Sequence, residues 1–143
     1  MEDILSKLVI ASGAVQFAVV AGSLAVPYLL NWRGELAKVQ TLIKQIFWTY
    51  AGYILCTNLF FAIVSVFATE GLLDGSRLAT ALNVFIALYW AARVVIQFVY
   101  FDKKGLPVGG IYRMGEWMLV ICFIFLTVVY SLAACWNEWG MAQ

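Results

Sequence analysis

Apolar residues recur along the chain in four long runs separated by short polar stretches. The runs cover residues 5–30, 46–69, 78–101 and 114–136. Each is longer than the about 20 residues a helix needs to cross a bilayer's hydrocarbon core, and each holds at most two charged residues. The connections, 31–45, 70–77 and 102–113, are too short for a folded water-exposed domain. The pattern predicts an all-α, integral membrane four-helix bundle, with residues 1–143 forming one transmembrane domain.

The connections predict how the chain turns. In the first, Leu36, Val39, Ile43 and Ile46 recur at helical spacing with Arg33, Glu35, Lys38 and Lys44 between them. An amphipathic segment of this kind is expected in the interface between the first two spans. Asp74-Gly75 marks a turn, and Ser76 is the expected N-cap of the third long helix. Gly105, Pro107, Gly109 and Gly110 interrupt the chain before the fourth.

Polar residues inside the runs are patterned too. At about 100° per residue, positions three, four and seven apart share a helix face. Ser12, Gln16, Ser23 and Pro27 form one stripe, and Tyr50, Thr57, Asn58 and Ser65 a second. Asn83, Trp90, Arg93 and Gln97 form a third, and Glu116, Thr127, Tyr130 and Ala134 a fourth. Each helix therefore has one face poorly suited to lipid. Gln16, Asn58 and Asn83 are of the type that joins membrane helices by hydrogen bonds, and Gly13, Gly22, Ala62, Ala87 and Ala91 allow close approach.

Composition sharpens the class. Hydrophobic residues make up 64% and charged residues 12%, and mean hydropathy is +0.91. Soluble domains run at about 45–50% and about 25%. The net charge of +1 lacks the basic excess of a nucleic-acid binder. With no histidine, no His-ligated haem or metal and no Ser-His or Cys-His nucleophile is expected. Cys56 and Cys122 lie deep in the second and fourth spans and Cys135 near the outer surface; they have no CxxC spacing, and a buried cysteine reads as a small hydrophobe. No cofactor is expected, although a bound lipid or quinone is compatible with the chain.

Charge also predicts orientation. Arg33, Lys38, Lys44, Lys103, Lys104 and Arg113 fall on one side of the spans, with only Lys7 and Arg77 on the other. The positive-inside rule then puts both termini on the non-cytoplasmic side, in what is expected to be a bacterial cytoplasmic membrane. Glu2 and Asp3 do not suit the positive start of a cleaved signal peptide, so the first span is expected to be retained. Lys103, Lys104 and Arg113 are expected to contact anionic headgroups. Trp32, Trp48 and Trp117 fall at the inner boundary, and Trp136 and Trp139 at the outer. Only Trp90 lies deep.

Arg93 is the most costly residue in the spans. It lies about nine residues, or roughly 13 Å, from the end of its run, and a mid-span arginine costs about 2.5–3.5 kcal/mol even on the lenient insertion scale. Glu116 is the only acid inside any span. Its expected depth brings it within reach if Arg93 points toward the inner end and Glu116 toward the middle, with Gln97 between them. Two readings stay open: a structural Arg93–Glu116 ion pair, or an Arg93 that grips an anionic headgroup, a carboxylate or a quinone carbonyl beside Trp90, Tyr89 and Asn58.

The functional expectation is a small accessory, assembly or lipid-binding module, with a polar interior centred on Arg93 and Glu116 and no evident catalytic machinery. A small oligomeric transporter or channel is the second reading, although neutral Gln16 stands where a proton-coupled drug carrier needs a mid-span glutamate. A lipid- or quinone-active enzyme is the third. The expected partners are membrane lipids and a protein partner or further copies of the chain, not nucleic acid.

Overall fold

The computed structural model describes residues 1–100 and 110–141, and side chains for 1–100 and 113–140. Among the described residues six helices follow one another: α1 (Glu2–Leu29), α2 (Trp32–Leu36), α3 (Thr41–Phe67), α4 (Thr69–Leu72), α5 (Arg77–Val99) and α6 (Gly110–Met141). The described residues contain no strand. Helix is the expected outcome, because a bilayer offers no water to backbone N–H and C=O groups and a helix satisfies them within itself. α1, α3, α5 and α6 are long and apolar enough to cross a membrane. The shortest of these, α5, has 23 residues and at about 1.5 Å per residue is about 34 Å long, enough for a core of about 30 Å. The chain is an integral membrane four-helix bundle.

The expected interfacial segment is divided. Only Trp32–Leu36 forms a separate helix; Gln40 is extended (φ −53°, ψ 143°), and Thr41 already begins α3. The apolar side of the corner is covered by aromatic contacts, with Trp32 4.8 Å from Phe47 and 5.8 Å from Trp48, ring centre to ring centre. At the other end, Gly75 takes the left-handed conformation (φ 72°) that a tight turn demands. Ser76 caps α5 as expected, its Oγ accepting from the Ala79 N–H at 3.0 Å.

Neighbouring long helices run antiparallel. Trp90 stacks on Phe123 and Phe98 meets Trp117, which sets the register of α5 against α6. α1 packs closely on α3 at Gly13, where an added Cβ would lie 2.5 Å from Val66 Cγ2 and 3.1 Å from the Ala62 carbonyl. α3 and α5 meet through side chains, chiefly Phe61 against Phe85 and Tyr89.

Among the described residues the core occupies one half of the bundle, the half nearer α4. Buried side chains on α3 begin at Asn58, those on α5 stop at Trp90, those on α1 stop at Val20 and those on α6 begin at Val120. In the half nearer α2, no described residue of these four helices is buried. Burial among the described residues is thus concentrated at the α4 end, while at the α2 end α5 and α6 still meet through Phe98 and Trp117.

Candidate functional site

The polar stripes meet in four successive levels from the α4 end to the α2 end. At the first level the carbonyl of Leu72 accepts from two amides, Asn83 Nδ2 at 2.7 Å and Asn137 Nδ2 at 2.8 Å. Asn137 also accepts from the Gly75 N–H at 3.1 Å. These bonds tie α4 and its turn to α5 and α6, and both asparagines are fully buried. Asn137 was not among the sequence candidates because it lies beyond the end predicted for the fourth span. Its position, seven residues after Tyr130 and three after Ala134, continues the stripe on that helix.

At the second level Gln16 Nε2 donates to the Tyr130 hydroxyl at 2.6 Å and to the Ser12 carbonyl at 3.2 Å. Tyr130 and Ser65 are hydrogen-bonded through their hydroxyls, and Ser65 Oγ donates to the Phe61 carbonyl at 2.6 Å. Because the Ser65 proton is committed to Phe61, Tyr130 supplies the proton it shares with Ser65. The bonds thus run in one direction, from α1 through α6 to α3. Gln16, Ser65 and Tyr130 are all fully buried, where each unmade bond would carry its full desolvation cost. The level holds amides and hydroxyls, groups suited to joining helices rather than to acid–base work.

At the third level Tyr89 donates to Asn58 Oδ1 at 2.7 Å. The Arg93 guanidinium lies over the same ring, its carbon 5.8 Å from the centre, within the range of a cation–π contact. Asn58 Nδ2 and Trp90 Nε1 are buried without a hydrogen-bond partner. Arg93 is half-buried and makes no ion pair among the described residues.

The fourth level joins Gln97 Nε2 to Glu116 Oε1 at 3.3 Å. A groove of about 170 Å³ opens here between Phe98, Arg113, Glu116, Trp117 and Val120. Arg113 is exposed. Lys103 and Lys104 lie outside the described residues.

The expected Arg93–Glu116 contact does not form, and helix geometry explains why. The Cα–Cβ bond of every helical residue tilts toward the N-terminus of its helix. Arg93 follows that tilt back one turn to Tyr89, toward the middle of the bundle. Because α6 runs antiparallel to α5, the same tilt carries Glu116 toward the α2 end. The two side chains diverge, and Gln97, one turn beyond Arg93, reaches the carboxylate instead.

Of the other sequence candidates, Gln16, Asn58, Asn83 and Trp90 are buried, Tyr50 is exposed and Thr57 is half-buried, bonded to its own helix. Cys56 is exposed rather than buried, facing outward from α3, Cys122 is half-buried, and Cys135 is exposed on α6. Among the described residues no three His, Cys, Asp or Glu side chains come together as a metal site would require. Comparison of the chain with protein-family models, with curated proteins and with solved structures gives no match.

Proposed function

We propose that this protein is a non-catalytic membrane module of the accessory or lipid-binding kind, whose open half receives an amphiphile. One observation carries the reading: among the described residues burial is confined to the α4 half, and Arg93 lies where the buried half gives way to the open one. An intramembrane cation needs a partner, and none of the described carboxylates forms an ion pair with it. Gln97, Glu116 and Arg113 continue a polar path from that level toward the α2 end, and the groove beside Trp117 is of a kind that suits a lipid headgroup.

In this reading the α2 end faces the cytoplasm of a bacterial cell, and both termini face away from it. The distribution of Lys and Arg supports that orientation. A reporter fused after Gln143 that is active only outside the cytoplasm tests it, and inactivity of that fusion reverses the orientation.

The decisive experiment for the function is native mass spectrometry of protein extracted gently from its own membranes. Retained lipid adducts on the monomer support the reading. A second polypeptide held in fixed ratio supports the accessory form of it, and a bare chain with neither overturns it. A homo-oligomer without adducts favours the second reading, a small transporter or channel. One surface feature favours that alternative. Between Ile10 and Leu24 the exposed residues of α1 are Ala11, Ala14, Ala18, Ala21 and Gly22, over which another helix could approach closely.

A further inference from the structure

We propose that Asn58, Tyr89 and Arg93 form a binding site for the carboxylate head of a single-chain amphiphile, such as a long-chain fatty acid, which enters from the open half of the bundle. This rests on the lipid-binding reading above and gives its ligand a chemical class.

Asn58 is 1% exposed; its oxygen is occupied by the Tyr89 hydroxyl, and its Nδ2 has no partner. Arg93 stands over the face of the same tyrosine. Tyr89 thus holds an uncommitted amide donor at its hydroxyl end and a guanidinium over its ring. The next residue, Trp90, is fully buried with its Nε1 also unpartnered. The two unpartnered nitrogens and the guanidinium at this level are all donors, and the guanidinium carries a full positive charge. The complementary ligand is an acceptor with one negative charge.

Depth selects among such ligands. Arg93 lies six residues before Val99, the last residue of α5, roughly 9 Å along the axis, and its side chain turns further inward. A phosphodiester at that depth would bring its glycerol and headgroup substituents away from the polar interface, where they normally reside. A fatty carboxylate has no polar group beyond its two oxygens, and those match the planar fork of a guanidinium. A quinone carbonyl or an alcohol would accept a hydrogen bond and leave the charge uncompensated. The alkyl tail remains in the surrounding hydrocarbon, so the site needs no enclosed cavity. Approach is from the α2 side, where no described residue of α3 before Asn58, or of α5 after Trp90, is buried; the sealed Asn58 Nδ2 is reached by a side-chain shift at this level.

The test uses the full chain in nanodiscs of phosphatidylcholine at mildly alkaline pH, where oleate is ionised. Oleate, oleyl alcohol and phosphatidylglycerol are titrated separately, with thermal midpoint and native mass as readouts. The expected result is a saturable rise in midpoint and a one-to-one adduct with oleate alone. Arg93→Gln and Asn58→Leu should each weaken oleate binding roughly tenfold or more, as loss of a hydrogen bond to a charged group implies. Arg93→Lys, which keeps the charge, should retain most of it. If Arg93→Gln lowers the midpoint by itself, the Asn58→Leu titration and the Arg93→Lys rescue still decide the matter. Equal binding of oleyl alcohol, or oleate binding indifferent to both residues, overturns the site. Phosphatidylglycerol binding that matches oleate overturns the carboxylate class and leaves the lipid-binding reading standing. If no amphiphile binds and protein from native membranes also carries no lipid, both fall.

Discussion

The side-chain amide of Gln16 on α1 donates to the hydroxyl of Tyr130 on α6 across 2.6 Å, and both groups are sealed from solvent and lipid. Through Ser65 the same bond reaches α3, so one short chain of donors fixes three of the four long helices. Between membrane helices the apolar effect that assembles soluble bundles is largely absent, and packing and hydrogen bonds take its place. Tyr130→Phe is therefore expected to cost about 1 kcal/mol. A double-mutant cycle with Gln16→Leu should give a coupling of about 0.5–1.5 kcal/mol. Thermal or denaturant unfolding in mild detergent measures both, and additive effects would show that the bond contributes nothing.

Gly13 predicts a steric limit. A methyl group there meets Val66 at 2.5 Å and a backbone carbonyl at 3.1 Å, whereas one at Gly22 meets nothing within 4 Å. The valine can rotate, but the carbonyl moves only with its helix. Gly13→Ala should destabilise by about 1–3 kcal/mol, with Gly22→Ala close to neutral. The contrast between the two melting curves checks the α1–α3 packing.

Arg93 and Glu116 should act independently. Their side chains diverge, so a double-mutant cycle of Arg93→Ala and Glu116→Gln is expected to give a coupling below about 0.5 kcal/mol. Gln97→Ala and Glu116→Gln should couple more strongly, because those groups are hydrogen-bonded. The reverse ranking would restore the direct ion pair.

Asn137 should control the exposed turn at the α4 end. Its oxygen accepts from the Gly75 N–H and its nitrogen serves Leu72. Asn137→Ala should speed hydrogen exchange at Gly75 and lower stability by about 1–2 kcal/mol. Unchanged exchange at that amide would show that the turn holds itself.

The same turn carries a pH signature. Asp74 is held below the usual carboxylate range by its hydrogen bonds to Ser76, side chain first and then backbone. A carboxyl group whose folded pKa is depressed favours the folded turn above its unfolded pKa and loses that contribution as pH falls through the folded value. Carbon-detected NMR titration should find Asp74 titrating low. Ser76→Ala should return it toward the ordinary range while removing the α5 cap, at about 1 kcal/mol.

Spans, composition and caps could be read along the chain because each depends on local properties: apolar length, charge count, and the turn chemistry of Gly75 and Ser76. The inward faces could be read as well, since a 3.6-residue period already aligns Ser12 with Gln16 and Asn58 with Ser65. What the period leaves open is the partner each polar group finds. Gln16 meets Tyr130 and Asn58 meets Tyr89 only once the register between helices is set, and register is a property of packing between segments far apart in the chain. The direction of Arg93 is also a matter of packing. Depth along the axis suggested Glu116, but the backward tilt of helical side chains, acting on antiparallel neighbours, sends the two apart. That burial stops halfway down the bundle is likewise a tertiary fact. Apolar residues run through both halves of each span, and which of them are buried depends on the neighbours that packing brings to them.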